Sequence, residues 1–115
     1  MANFIDIHTR KGRSEPKHYK TTLFHGEALM LGLNCLESGQ KQSVHTHADQ
    51  DKFYLVVEGR GTFTIGSREQ EAGPGTVVWA PQGVEHGVRN DEAVQLVLFM
   101  GMAPPPAKKR TGEPG

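Results

Sequence analysis

One cysteine stands in 115 residues. Cys35 alone excludes an intramolecular disulfide and a paired-cysteine metal knuckle. Its apolar neighbours mark it as a buried, inert thiol. Neither sign of charge is in excess: 13 Lys and Arg stand against 13 Asp and Glu. A neutral chain lacks the basic face of a general nucleic-acid binder, so no nucleic-acid partner is expected. No apolar run reaches the ~20 residues of a membrane span, and the first residues do not read as a signal peptide. The expectation is a cytoplasmic chain with no membrane partner. A long helical period is also missing. The length suits one domain with a sandwich or small barrel core.

What is present is a series of short apolar runs. They lie at 21–25, 28–37, 52–59, 61–66, 76–80, 86–90 and 93–100, and are rich in β-branched, aromatic and aliphatic residues. Turn-forming stretches separate them: "ESGQ", "EGRG", "IGSRE", "AGPG", "APQG" and "RND". Many short strands at close spacing predict an all-β sandwich or barrel. Residues 1–18 are polar and irregular. Residues 103–115, "APPPAKKRTGEPG", are too rich in proline, glycine and charge to bury a core. The domain is therefore expected to span 19–102. The tail's basic triplet Lys108, Lys109 and Arg110 reads as solvated.

The chemistry begins at "VHTH", Val44 to His47. On a strand, residues i and i+2 share a face, so His45 and His47 point the same way. Neutral imidazole is the commonest metal ligand, but a pair needs a third partner. "GPGTVVWAPQGVEHGVRN" supplies one in His86. Gly75 permits a tight turn into a strand. Pro81 and Gly83 punctuate its end and allow a bend that aims His86 inward, and Asn90 suits the next turn.

These two segments resemble the paired signature motifs of the cupin superfamily. The first family motif is G-x5-H-x-H-x(3 or 4)-E-x6-G. Gly39, His45, His47 and Gly59 match it, and Lys52 stands where the glutamate belongs. The second is G-x5-P-x-G-x2-H-x3-N, matched at Gly75, Pro81, Gly83, His86 and Asn90. Together they span residues 39–90. The resemblance implies a small single-domain cupin: an antiparallel jelly-roll β-barrel, a metal inside its mouth and a homodimer. It implies His45, His47 and His86 as ligands of a divalent transition metal, with Fe, Mn, Zn and Ni all admissible. Fold does not fix activity. The three-histidine set resembles that of cupin dioxygenases lacking the motif glutamate. A dioxygenase or isomerase acting on a small anionic or oxygenated metabolite is one expectation. The alternative is a metal-free, non-catalytic cupin that holds a small anionic ligand through Lys52 and the histidines.

Lys52 divides these readings. At ~5 Å from a divalent ion and an effective dielectric of ~20, its charge would be repelled by an upper bound on the order of 7 kcal/mol. Three arrangements relieve that: a neutral amine, a turn toward Asp49, Asp51 or Glu85, or no metal. The expectation is the turn toward an acid. Asp51 could become a ligand only if a bulge shifts its register. Tyr54 shares the inward face with Lys52; the two are the candidate catalytic pair. Trp79, Met30, Met100 and Met102 read as packing residues. His25 reads as a surface group near the mouth, and His8 and His18 need no role. The "GRG" at 59–61 reads as a hairpin turn.

Overall fold

The computed structural model describes residues 3–106, so Lys108, Lys109 and Arg110 lie outside the described residues. Nine strands follow in order: β1 (Tyr19–His25), β2 (Met30–Leu36), β3 (Lys41–His45), β4 (Asp51–Glu58), β5 (Gly61–Ile65), β6 (Arg68–Ala72), β7 (Val77–Ala80), β8 (His86–Arg89) and β9 (Leu96–Ala103). They form two antiparallel sheets. One has the order β1-β2-β9-β4-β7 and the other β3-β8-β5-β6. This is the expected jelly roll. Among the described residues the only helical piece is a single turn, Ile7–Thr9, and no helix is long and apolar enough to cross a membrane.

Strand alternation builds the interior. Leu96, Leu98, Met100 and Met102 of β9 point inward with Leu36, Tyr54 and Val56, meeting Phe63, Ala72 and Val88 of the other sheet. The intervening residues of β2 and β9 are also covered. Leu33, Cys35 and Val97 are fully buried on the outer face, against Ile7, Tyr19, Leu23, Val57 and Phe99. A strand covered on both faces reads as an unbroken apolar run, which is why 28–37 and 93–100 show no alternation. Burial also raises the pKa of the Cys35 thiol, in keeping with an inert group.

The N-terminal segment is irregular but strapped down. Ile7 seals the outer cluster, Lys11 Nζ meets Glu58 at 2.9 Å, and Gln95 donates to the Gly12 carbonyl at 2.8 Å. At the other end β9 runs to Ala103, one residue past the expected boundary. The two motifs are joined by the backbone. Gly39 N–H donates to the Asn90 carbonyl and Asn90 N–H to the Gln40 carbonyl, at 2.8 and 3.0 Å. The buried Asn90 amide also donates to the carbonyls of Leu36 and Val94 and accepts from Glu92 N–H. Asn90 is thus a clasp between motif ends.

Candidate metal centre

His86 opens β8, directly opposite His45, the last residue of β3. His47 lies two residues beyond the end of β3, in a loop. Its carbonyl accepts the Gly83 N–H at 2.8 Å. Gly83 takes φ +79 in the turn after β7, a conformation that excludes most side chains. So the bend expected after Pro81 exists, and it fixes the loop that carries His47.

A β-bulge gives the site its floor. The register of β3 against β8 slips between Gln42 and His45. Without the slip, residues 42 and 45 would face opposite ways; with it, both face inward, opposite Val88 and His86. Gly87 makes room for the bulge. A Cβ there would sit 2.9 Å from Val44 N and 3.0 Å from the Gln42 carbonyl oxygen.

The three imidazoles converge as the spacing demands. One nitrogen from each lies within 4.8 Å of the others, and His45 Nε2 is 3.1 Å from His47 Nε2. His45 Nδ1 sits 2.7 Å from the Ser43 carbonyl and His86 Nδ1 3.2 Å from that of Val84. A carbonyl only accepts, so each Nδ1 carries the hydrogen and each Nε2 is left with a bare lone pair. His86 Nε2 is buried and has no hydrogen-bond partner. Burial lowers the pKa of His86 to about 4, with the Val84 carbonyl opposing and His45, Lys52 and His47 adding to the fall. The pKa of His47 is lowered by burial, then by His45 and Lys52. The Nε2 lone pairs of His45 and His86, gathered beside His47 Nε2, fit a metal ion. Two nitrogens each ~2.1 Å from one ion and about a right angle apart lie about 3.0 Å from each other.

Lys52 is 4% exposed and enters the barrel, as its phase requires. The expected acidic partner is absent: none of the ion pairs among the described residues includes Lys52. Asp51 instead accepts the Gln82 N–H at 3.0 Å, and Asp49 and Glu85 are exposed. Adjacent strand residues face opposite ways, so Asp51 could not follow Lys52 inward. The ammonium lies over the Tyr54 ring, 4.8 Å from its centroid. Burial, then Lys20, lowers its pKa to about 8. Tyr54 is fully buried, and its hydroxyl donates to the Gln42 side chain. Burial raises the pKa of Tyr54, so it remains a phenol.

His45, His47 and Lys52 line a cavity of about 460 Å³ with Lys20, Asn34, Gln42 and the methionines Met30, Met100 and Met102. Lys20 and Gln42 were not among the sequence candidates. Lys20 fell just outside the run at 21–25, and Gln42 shows its direction only once the bulge is seen. His25 is exposed at the rim, 3.3 Å from the Pro106 carbonyl. His8 lies 3.4 Å from Glu58 on the surface. His18 Nε2 is buried and unpartnered among the described residues, and burial lowers its pKa, with Lys20 and Lys52 contributing. Trp79 is a further correction, being 55% exposed on the edge strand β7 rather than packed.

Known proteins carry the same frame. A family model described as "Cupin domain" matches residues 32–101. An uncharacterized protein of Streptomyces coelicolor is 40% identical over 73 residues, covering 62% of this chain and 69% of the relative. The crystal structure of TT1209 from Thermus thermophilus superposes with a TM-score of 0.88 at 33% identity, covering 91% of this chain and 100% of that one. KdgF from a Halomonas species shares the fold at 22% identity, with a TM-score of 0.79 over 92% of this chain and 96% of its own. With both motifs joined, the barrel closed around three converging histidines and the family model spanning most of the sheet framework, this chain belongs to the cupin family.

Proposed function

We propose that this protein is a metal-binding cupin in which His45, His47 and His86 hold a divalent transition ion and the adjoining cavity admits a small anionic, oxygen-bearing metabolite. The observation that carries the reading is the unpartnered, buried Nε2 of His86, turned to the side where its two neighbours converge. Such an ion supplies Lewis acidity, or a platform for oxygen if it is iron, which are the properties of an isomerase or a dioxygenase. The chain does the rest. The Ser43 and Val84 carbonyls fix the tautomers of two ligands. Lys52 faces the substrate's anionic end and can hold or release a proton at Nζ. Tyr54 reaches the cavity only through Gln42. Imidazole accepts Fe, Mn, Zn and Ni alike, so identity follows from loading rather than from the donor set.

A second reading has its own observation: among the described residues, Lys52 is a buried cation without an acid. In a metal-free cupin it would bind an anion together with the histidines. Elemental analysis and calorimetric titration with Mn, Fe and Zn, on protein lacking a histidine tag, separate the two. The expected result is about one ion per chain, lost in His86→Ala and tightened at least tenfold in Lys52→Glu. Uptake by Lys52→Glu but not by wild type would install the metal-free reading. The reading also places the protein in the cytoplasm, where Cys35 stays a thiol. It takes the working unit to be a homodimer joined through the outer face of the five-stranded sheet.

A further inference from the structure

The protein as a whole is neutral, yet its cavity is not. No acidic residue among those described lines it, while Lys20 and Lys52 both do. Lys52 is 4% exposed and joined to no acid among the described residues. A buried ammonium without a counter-charge costs stability, and such a group persists where a ligand supplies the missing charge. The neighbouring polar residues are the amides Asn34 and Gln42, with Thr21 and Thr22 beside them. Asn34 stands opposite Lys20 across the β1–β2 pair, and Gln42 enters on the bulged strand. The Tyr54 hydroxyl occupies the Gln42 side-chain oxygen as donor. That leaves the Gln42 –NH2 as a directed donor into the cavity. Met30, Met100 and Met102 form its apolar wall, and Thr21, Thr22, Gly32 and Pro106 complete the lining.

We infer that Lys20, Lys52 and Gln42 form a carboxylate subsite beside the three histidines, and that the ligand is a short aliphatic acid with a second oxygen function. Its carboxylate lies between the two ammonium groups and accepts from the Gln42 amide. Its carbon body rests on the methionines, and its second oxygen faces His45 and His47. Carboxylate is favoured over phosphate because, among the described residues, the wall offers no arginine and two side-chain amides. Tyr54 is a positioning residue, acting on the ligand through Gln42 alone. The inference deepens the proposed function and rests on its cavity, but the subsite needs no metal.

Succinate is the probe, with the neutral succinamide and inorganic phosphate as comparators, titrated calorimetrically into full-length protein stripped by chelator and into metal-loaded protein. Succinate is expected to bind both forms, and succinamide at least tenfold more weakly. Lys20→Met and Lys52→Met should each weaken succinate tenfold or more. Gln42→Leu should weaken it several-fold, and Tyr54→Phe should add nothing once Gln42 is Leu. That non-additivity would not arise from a merely structural tyrosine. Lys20 is exposed, so its variant keeps the fold. Equal binding of succinamide, tighter binding of phosphate, or unchanged affinity in both lysine variants would overturn the subsite. Absence of metal uptake with succinate binding intact would remove the metal reading and leave the subsite standing.

Discussion

Lys52 is a residue whose location conflicts with the stability of the fold. Its pKa is lowered from 10.5 to about 8, first by burial and then by Lys20. Below pH 8 both folded and unfolded chains carry the proton, and the folded one bears the full cost, roughly 3 kcal/mol. Between pH 8 and 10.5 the folded amine is neutral while the unfolded chain still binds a proton. Stability from this group therefore rises with pH across that window, and the cost is gone above it. Lys52→Met places an apolar side chain beside Met102 and removes the charge. The metal-free variant should be more stable than wild type by about 1–3 kcal/mol at pH 7, with the difference shrinking by pH 10. Urea denaturation at the two pH values measures it. A variant no more stable at pH 7 would mean that the ammonium is compensated inside the folded barrel.

At the scale of elements, the bulge in β3 decides where the site's side chains point. Both Gln42 and His45 depend on it, and Gly87 is what admits it. The added methyl of Gly87→Ala would press on the backbone of Val44 and Gln42 rather than on a yielding side-chain tip. The expected outcome is a loss of about 1–3 kcal/mol and weaker metal uptake, because β3 must shift and carry His45 with it. Thermal unfolding and metal titration of the same variant check this; wild-type values in both would show that β3 yields freely. The bulge also explains what the sequence hid. Its burial order along Lys41–His45 runs exposed, half-buried, exposed, exposed, half-buried, so no alternation announces the strand. β6, "REQEA", is an edge strand paired only with β5, and four of its five residues are exposed. Its polarity makes it read as part of a turn, and with β3 equally unannounced the seven apolar runs correspond to nine strands. The histidine motifs were legible because their spacing encodes pairing: His45 opposite His86, and Gly39 with Gln40 bonded to Asn90. Partner choice was not legible. Sequence proximity points Lys52 to a neighbouring acid, whereas strand phase sends Asp51 to the other face and Lys52 over Tyr54.

The whole molecule presents an outer sheet face that the described residues cover only in part. One row across the five-stranded sheet reads Trp79, Phe53, Gly101, Leu31, Phe24 by direct register, and the next reads Val77, Leu55, Phe99, Leu33. The N-terminal segment packs on the β1 side of these rows through Ile7. On the β7 side Val77 and Trp79 remain 65% and 55% exposed, and Phe4 of the N-terminal segment is 91% exposed. A stable interface removes about 800 Å² from each partner, roughly a tenth of this protein's 7266 Å². Two such faces packed sheet on sheet would meet with an aromatic centre, the composition that anchors interfaces. The expected outcome is therefore a homodimer at micromolar concentration in size exclusion with light scattering. Trp79 is the sole tryptophan, so its emission reports the contact directly. Dilution should red-shift it as the face is wetted, and Trp79→Glu should give a monomer that still takes up metal, because its side chain points away from the cavity. A wild-type chain that runs as a monomer at these concentrations, with emission independent of dilution, would assign the face to some other covering and remove the dimer.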